Sequence, residues 1–221
     1  MSQVESRMKK QIKIDFVSDV SCPWCAIGLQ SLQTALQRLE GELDASLTFQ
    51  PFELNPQMVA EGENITEHLA KKYGSTPEQA AGAQANIRER GAALGFAFNM
   101  DKRGRIYNTF NAHRLLHWAQ IEGKQAELKK ALLKAYFTDG ENPSDTALLV
   151  RVAASVGLDA ARAQAILDSD EFADAVREQE RFYQQAGINS VPAIILNDQH
   201  LISGGQPPEV FEQALRQIAG I

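Results

Sequence analysis

Ser21-Cys22-Pro23-Trp24-Cys25 holds the only two cysteines of this 221-residue chain. Upstream, Ile12, Ile14, Phe16 and Val20 read as a short buried strand running into a turn. Downstream, Ile27, Leu29, Leu32, Leu36 and Leu39 form an apolar stripe at helical spacing. The cysteine pair is therefore predicted at a strand-to-helix junction, with Pro23 in the first helical turn, where its missing N–H costs nothing. Free N–H groups and the positive end of a helix dipole favour a thiolate, the reactive form of cysteine. Cys22, at the helix mouth, is the expected attacking nucleophile. Cys25, one turn further in, is the expected resolving thiol. A structural pair or half of a zinc site are the competing readings of a lone CxxC.

The whole chain sets the limits. Its 44% hydrophobic and 23% charged composition suits a soluble globular protein with a sizeable core. A net charge of -6 argues against nucleic acid as the main partner, since phosphate binding needs a basic face. No apolar run reaches the ~18–20 residues of a transmembrane helix, so no membrane partner is expected. The first ten residues, polar and charged, read as a flexible arm rather than a signal peptide, and the expected compartment is the cytoplasm. There a CxxC is more often catalytic, redox-sensing or metal-binding than a structural disulfide.

In chain order, residues 12–17 predict a strand, 23–40 a helix and 46–52 a second strand. Such a βαβ unit pairs its strands in parallel. Composition then shifts to Ala, Gln, Glu, Lys, Arg and Leu. Helices are expected over 65–73, 77–93, 108–122, 124–137, 144–156, 159–167 and 171–186, and the piece at 96–99 as extended chain. Thr76 before Pro77, and Ser144 with Asp145, mark helix starts. Strand chemistry returns with Val191 to Leu196, a turn at 197–200 and a partner at 201–203, before a final helix opened by Pro207 or Pro208. The expected fold is α/β: a thioredoxin-like domain in two halves, 11–62 and 188–221, with a large all-helical insertion at 63–187 acting as a lid.

The SxxxCPWC opening (the Ser18 to Cys25 stretch), the split halves and Ser190-Val191-Pro192-Ala193 resemble the DsbA-type thioredoxin-fold family. Phe52-Glu53-Leu54-Asn55-Pro56 and the run from Asn108 to Leu115 resemble its FrnE-like branch, which is related to 2-hydroxychromene-2-carboxylate isomerases and kappa-class glutathione transferases. The resemblance implies a thiol–disulfide oxidoreductase working through a mixed disulfide and a redox-active disulfide. It implies no tightly bound cofactor, and it admits glutathione as co-substrate. Partners would be protein or small-molecule disulfides or dithiols, for a monomer or a homodimer. The alternative is a glutathione-dependent isomerase or transferase of small aromatic compounds, although those relatives carry a serine where Cys22 stands. A redox-regulated binding module is a third reading.

The resemblance also implies a cis Val191–Pro192 bond facing the cysteines, whereas by residues alone a trans proline opening an edge strand is the ordinary outcome. Trp24 between the cysteines adds apolar surface but no charge. Asp19, three residues before Cys22, is favoured over Asp15 as a carboxylate near the thiols that shuttles protons, with solvent exposure or turn capping as the rival for both. His113 and His117 share a helix face and would complete a Cys2His2 set with the cysteines, but no metal is expected. Asn108, Asn111, His113 and Arg114 are assigned to holding the lid or shaping a substrate pocket, with a core role for His113 equally open. Arg88, Arg90, Lys102, Arg103 and Arg105 form a basic cluster read chiefly as a solvated face.

Overall fold

The structure is a computed structural model describing residues 8–221. Most of the expected N-terminal arm, residues 1–7, lies outside it. The first strand, β1 (Lys10–Ser18), the helix α1 (Pro23–Arg38) and β2 (Leu43–Pro51) make the expected βαβ unit. β1 and β2 pair in parallel from Lys10 opposite Leu43 to Ser18 opposite Pro51, which extends β2 three residues earlier than its alternating pattern suggests.

The insertion carries seven helices: α2 (Ile65–Tyr73), α3 (Pro77–Ala93), α4 (Phe110–Ile121), α5 (Gln125–Phe137), α6 (Thr146–Ser155), α7 (Ala160–Leu167) and α8 (Ala173–Gln185). Thr76 closes a full capping box with Gln79 at the head of α3, and Asp145 and Asp159 cap α6 and α7. A two-residue antiparallel ladder, β3 (Glu63–Asn64) with β4 (Arg105–Ile106), also lies within the stretch expected to be all-helical. Residues 96–99, expected as extended chain, join no sheet. Phe96 and Phe98 instead plug the core with rings 4.7 Å apart.

The chain returns as β5 (Ala193–Leu196), β6 (His200–Ser203) and α9 (Pro208–Ala219). β5 runs antiparallel to β1, and the sheet order is β2-β1-β5-β6. Neither half owns a complete sheet, so β1 joins them at its centre.

Two cores share one helix. Ile12, Ile14, Phe16, Leu29, Leu32 and Phe211 pack the sheet side together with Leu133, Tyr136 and Phe137 of α5. Leu115, Trp118, Leu149 and Ile166 pack the helical side together with Leu128 and Leu132 of the same α5. Each fully buried Leu contributes roughly 1.5–3 kcal/mol. Truncating one that bridges the layers, such as Leu133, would cost about 2–5 kcal/mol. α5 thus locks the insertion onto the sheet directly beneath the cysteine pair's helix.

Candidate active site

Cys22 is the N-cap of α1, in extended conformation (φ -93°, ψ 114°), with Pro23 following at N1. Both cysteines are free thiols. Cys22 is buried save for its face on a groove, where its Sγ donates to the Val191 carbonyl at 3.8 Å. Cys25 is completely sealed. A hydrogen bond from the Cys25 thiol holds Cys22 below the ordinary thiol range, outweighing the opposing effect of burial. Burial, reinforced by the neighbouring Cys22, pushes Cys25 well above that range. The two thiols are thus shifted in opposite directions.

The Val191–Pro192 peptide is cis. Two glycines let it and its neighbours close in: a Cβ on Gly28 would stand 3.2 Å from the Pro192 ring, and one on Gly205 only 2.9 Å from the Trp24 carbonyl. Trp24 lies half-buried under Arg90, whose guanidinium carbon is 5.0 Å from the ring centroid and whose NH2 group donates to the Gly205 carbonyl.

Asp19 is fully enclosed. Its Oδ2 accepts from the Leu54 N–H at 2.8 Å and the Ser21 hydroxyl at 3.1 Å, and its Oδ1 lies 3.2 Å from His113 Nε2. Burial alone would raise this carboxyl, but His113, Leu54 and Thr109 together hold it below the usual range. The same His113 nitrogen lies 3.1 Å from the Phe52 carbonyl, so the insertion is tied to the β2 exit through one imidazole. Asp15 sits away from the thiols, bonded to Gln50 at 2.8 Å and paired with Lys13 at 3.1 Å.

The other motif residues separate. Asn108 accepts from the Phe110 N–H, which is why α4 opens at Phe110 rather than at 108, and its amide donates to the Met58 carbonyl. Asn111 holds Arg114, and Arg114 donates to the carbonyls of Ile166, Ser169 and Glu171. These three are not among the residues that line the groove, and their bonds are made within the insertion and to its entry. Asn111 and Arg114 staple α4 to the α7–α8 connection, and Asn108 ties the start of α4 to Met58. His117 turns to the Phe172 ring, 5.1 Å away, so it does not join His113 and the cysteines in a Cys2His2 set.

Three features escape a reading of the sequence as spacing and motifs. Arg103, expected on a solvated face, is buried: its Nε donates to the Tyr136 hydroxyl at 2.9 Å and its NH2 group to the Ser21 carbonyl at 3.2 Å. Arg88, Lys102 and Arg105 of the same cluster do stay exposed. Glu53 and Glu180 are buried around the one guanidinium of Arg177, and burial, followed by the neighbouring Glu180, raises Glu53 to about 8. Lys129 of α5 is wholly enclosed with no hydrogen-bond partner among the described residues. Lys129 had a readable signal, because it falls on the core stripe of α5 with Leu132, Leu133 and Tyr136.

Beside Cys22 opens a groove of about 660 Å³. Phe52, Leu54, Leu69, Tyr73, Ile87 and Ile106 supply its apolar walls, and Val191 and Trp24 close it at the cysteine. Helices α2 and α3 form the wall facing the thiol. No helix of the described residues is long and apolar enough to cross a membrane.

Comparison with known proteins agrees with this geometry. The family model described as the DSBA-like thioredoxin domain matches residues 13–216. A probable DsbA oxidoreductase from Streptomyces coelicolor is 34% identical, superposes with a TM-score of 0.89, and the match covers 95% of this chain and 90% of that one. A 2-hydroxychromene-2-carboxylate isomerase shares the fold at 16% identity and a TM-score of 0.72, over 94% and 98% of the two chains. The cytosolic disulfide reductase DsbM of Pseudomonas aeruginosa, whose structure contains GSH, shares it at 16% identity and a TM-score of 0.65, over 95% and 100%.

Proposed function

This chain belongs to the DSBA-like thioredoxin family, and we propose that it is a cytosolic thiol–disulfide oxidoreductase working through Cys22 and Cys25. The observation that carries this reading is the opposed setting of the two thiols. Cys22 is lowered and faces a groove, whereas Cys25 is raised and sealed.

Cys22 thiolate attacks one sulfur of a substrate disulfide, and the other substrate sulfur leaves as a thiolate. The resulting mixed disulfide lies along Val191, whose carbonyl already faces Cys22. Cys25 then attacks Cys22 Sγ, forming the Cys22–Cys25 disulfide and releasing the second substrate thiolate. Run backwards, the same steps oxidise a dithiol. In this reading residues 11–62 and 188–221 carry the thiol chemistry. The insertion at 63–187 walls the groove and builds the floor under Cys25, with Asp19 and His113 as supporting residues.

The apolar groove walls suit a disulfide or dithiol flanked by apolar groups, on a protein or a small molecule. Glutathione is the natural electron donor in this scheme, a role suggested by the GSH held in the DsbM structure. The isomerase alternative is disfavoured by the cysteine pair itself, since a paired resolving thiol has no use in activating glutathione without disulfide formation.

The deciding experiment equilibrates the protein with glutathione buffers, traps free thiols, and compares wild type with Cys22→Ser in insulin reduction. A two-electron couple between about -120 and -270 mV, with activity lost in the variant, is the expected result. The absence of a disulfide at any poise would overturn the reading.

A further inference from the structure

Two carboxyls and one guanidinium meet where the chain leaves β2 and passes α8. Arg177 Nη1 donates to Glu53 Oε2 and, at 2.9 Å, to Glu180 Oε2, so both carboxyls crowd a single nitrogen. The glutamate side chains are 2% and 7% exposed, and the guanidinium covers the Phe110 ring of α4, 3.7 Å from its centroid. Glu53 Oε1 and Glu180 Oε1 are both enclosed with no hydrogen-bond partner among the described residues. Fully ionised, the cluster would set two buried negative charges against one positive charge and leave two buried acceptors without donors. A single proton removes both faults: it cancels the surplus charge, and a carboxylic acid on one glutamate donates to the free oxygen of the other.

We propose that Glu53 and Glu180 hold one proton between them, and that this proton makes a pH-sensitive clasp by which α8 grips the groove wall. The place of Glu53 in the chain gives the clasp its reach. On one side the Phe52 carbonyl faces His113, on the other the Leu54 N–H donates to Asp19, and both side chains wall the groove beside Cys22. Burial, followed by the neighbouring Glu180, raises Glu53 to about 8, so the proton is held at neutral pH and lost just above it. Two carboxylates then repel each other across one guanidinium, and residues 52–54 are released from α8. The clasp is independent of which reaction Cys22 performs.

Other titratable groups surround the segment. Cys22, His68, Lys72, Tyr73 and Arg103 line the same groove, and Asp19 and His113 hold residues 52–54 by hydrogen bonds. Tyr183 of α8 shares a small apolar cluster with Phe52 and is pushed up to about 12, above the range of the clasp. Asp19, held below the usual carboxylate range, keeps its charge throughout. Cys22 titrates on its own account, so backbone protection rather than thiol reactivity reads the state of the clasp.

The test follows backbone amide hydrogen exchange in the full-length reduced protein from about pH 6.5 to about pH 9.5, corrected for the intrinsic pH dependence of exchange. Opening is linked to the release of one proton, so protection at residues 52–54 and across α8 is expected to fall at least about tenfold over that range. Protection in α5 is expected to stay within about twofold. In Glu53→Gln and Glu180→Gln an amide supplies the donor at every pH, so both variants keep their protection. A wild type with unchanged protection at 52–54, or variants that lose it as the wild type does, overturns the proposal. A loss shared equally by α5 overturns it too, because the whole molecule is then opening.

Should neither variant fold, carbon-13 NMR of the glutamate carboxyls in the wild type decides. Two carboxyl resonances are expected to move together as one proton leaves near pH 8, because the proton is shared. A single resonance moving there, or none, overturns the assignment.

Discussion

On the groove side of the cysteine pair, Cys22 faces the Val191 carbonyl across an open channel walled by apolar side chains of α2, α3 and the β2 exit. On the floor side, Cys25 is sealed, and Asp19, His113 and Lys129 are all buried as well. In the proposed reading the groove side needs room and apolar surface, because a substrate must enter and leave. The floor side needs the reverse, since fixed charges act strongly only where water is excluded. The difference teaches how one CxxC yields two unlike thiols: the sulfurs are three residues apart, but their solvents are not the same.

The largest test of that contrast exchanges the cysteines one at a time. Cys22→Ser should bring insulin reduction down at least about 100-fold, to background. Cys25→Ser should keep the attack but accumulate the mixed disulfide, seen as an adduct by mass spectrometry. Equal behaviour of the two variants would break the comparison.

Next comes the floor. Asp19→Asn should destabilise the protein by about 2–4 kcal/mol in urea unfolding near neutral pH, since it removes a buried charge that accepts three bonds. Asp19 is held below its unfolded range, so the stability it contributes is present above about pH 3.9 and is lost as pH falls through its lower folded value. Acid unfolding of the variant should therefore lose part of its pH dependence below about pH 4.

A smaller effect of opposite sign belongs to the groove wall, where Glu53 is raised to about 8. Below about pH 4.5 both folded and unfolded states hold its proton, so there is no penalty. From there to about pH 8 the unfolded chain ionises while the fold keeps the proton, and stability drains away. Glu53→Gln should remove that loss. The variant should gain about 2 kcal/mol over wild type at pH 8 and little at pH 4.5, well under the full value of the shift because Arg177 is partly exposed and offsets some of it.

The smallest change is Arg90→Ala, which strips the cation from the Trp24 face. It should cost about 0.5–1 kcal/mol in thermal unfolding and leave insulin reduction nearly unaltered. A large rate loss there would show that the groove side depends on charge after all.

Local signals were legible where one short stretch carries the physics. Pro23 after a β-branched strand, Thr76 before Pro77 and the continuous apolar run from Val191 to Leu196 each point to the element that forms, because capping and local apolar pattern act within a few residues. Asn108 was harder: its side chain moves the start of α4 to Phe110, an Asx turn that spacing alone does not reveal. The β3–β4 ladder was invisible, since two-residue pairings between chain segments about forty residues apart leave no periodic trace.

Within the site, the cysteines and Asp19 were findable because they neighbour one another along the chain. Arg103 and the Glu53–Glu180 pair were not, since in sequence each is an ordinary charged residue on a polar stretch or a helix, whereas Lys129 showed itself only by its place on the core stripe of α5. By itself the sequence determined that a cysteine pair opens a helix after a strand, and that two β-containing ends must complete one sheet. Only the tertiary structure decided which charges lie beneath Cys25 and which line the groove at Cys22. Burial and electrostatic coupling depend on distances between residues far apart in the chain, and those distances exist only once α5 and α8 have packed against the sheet.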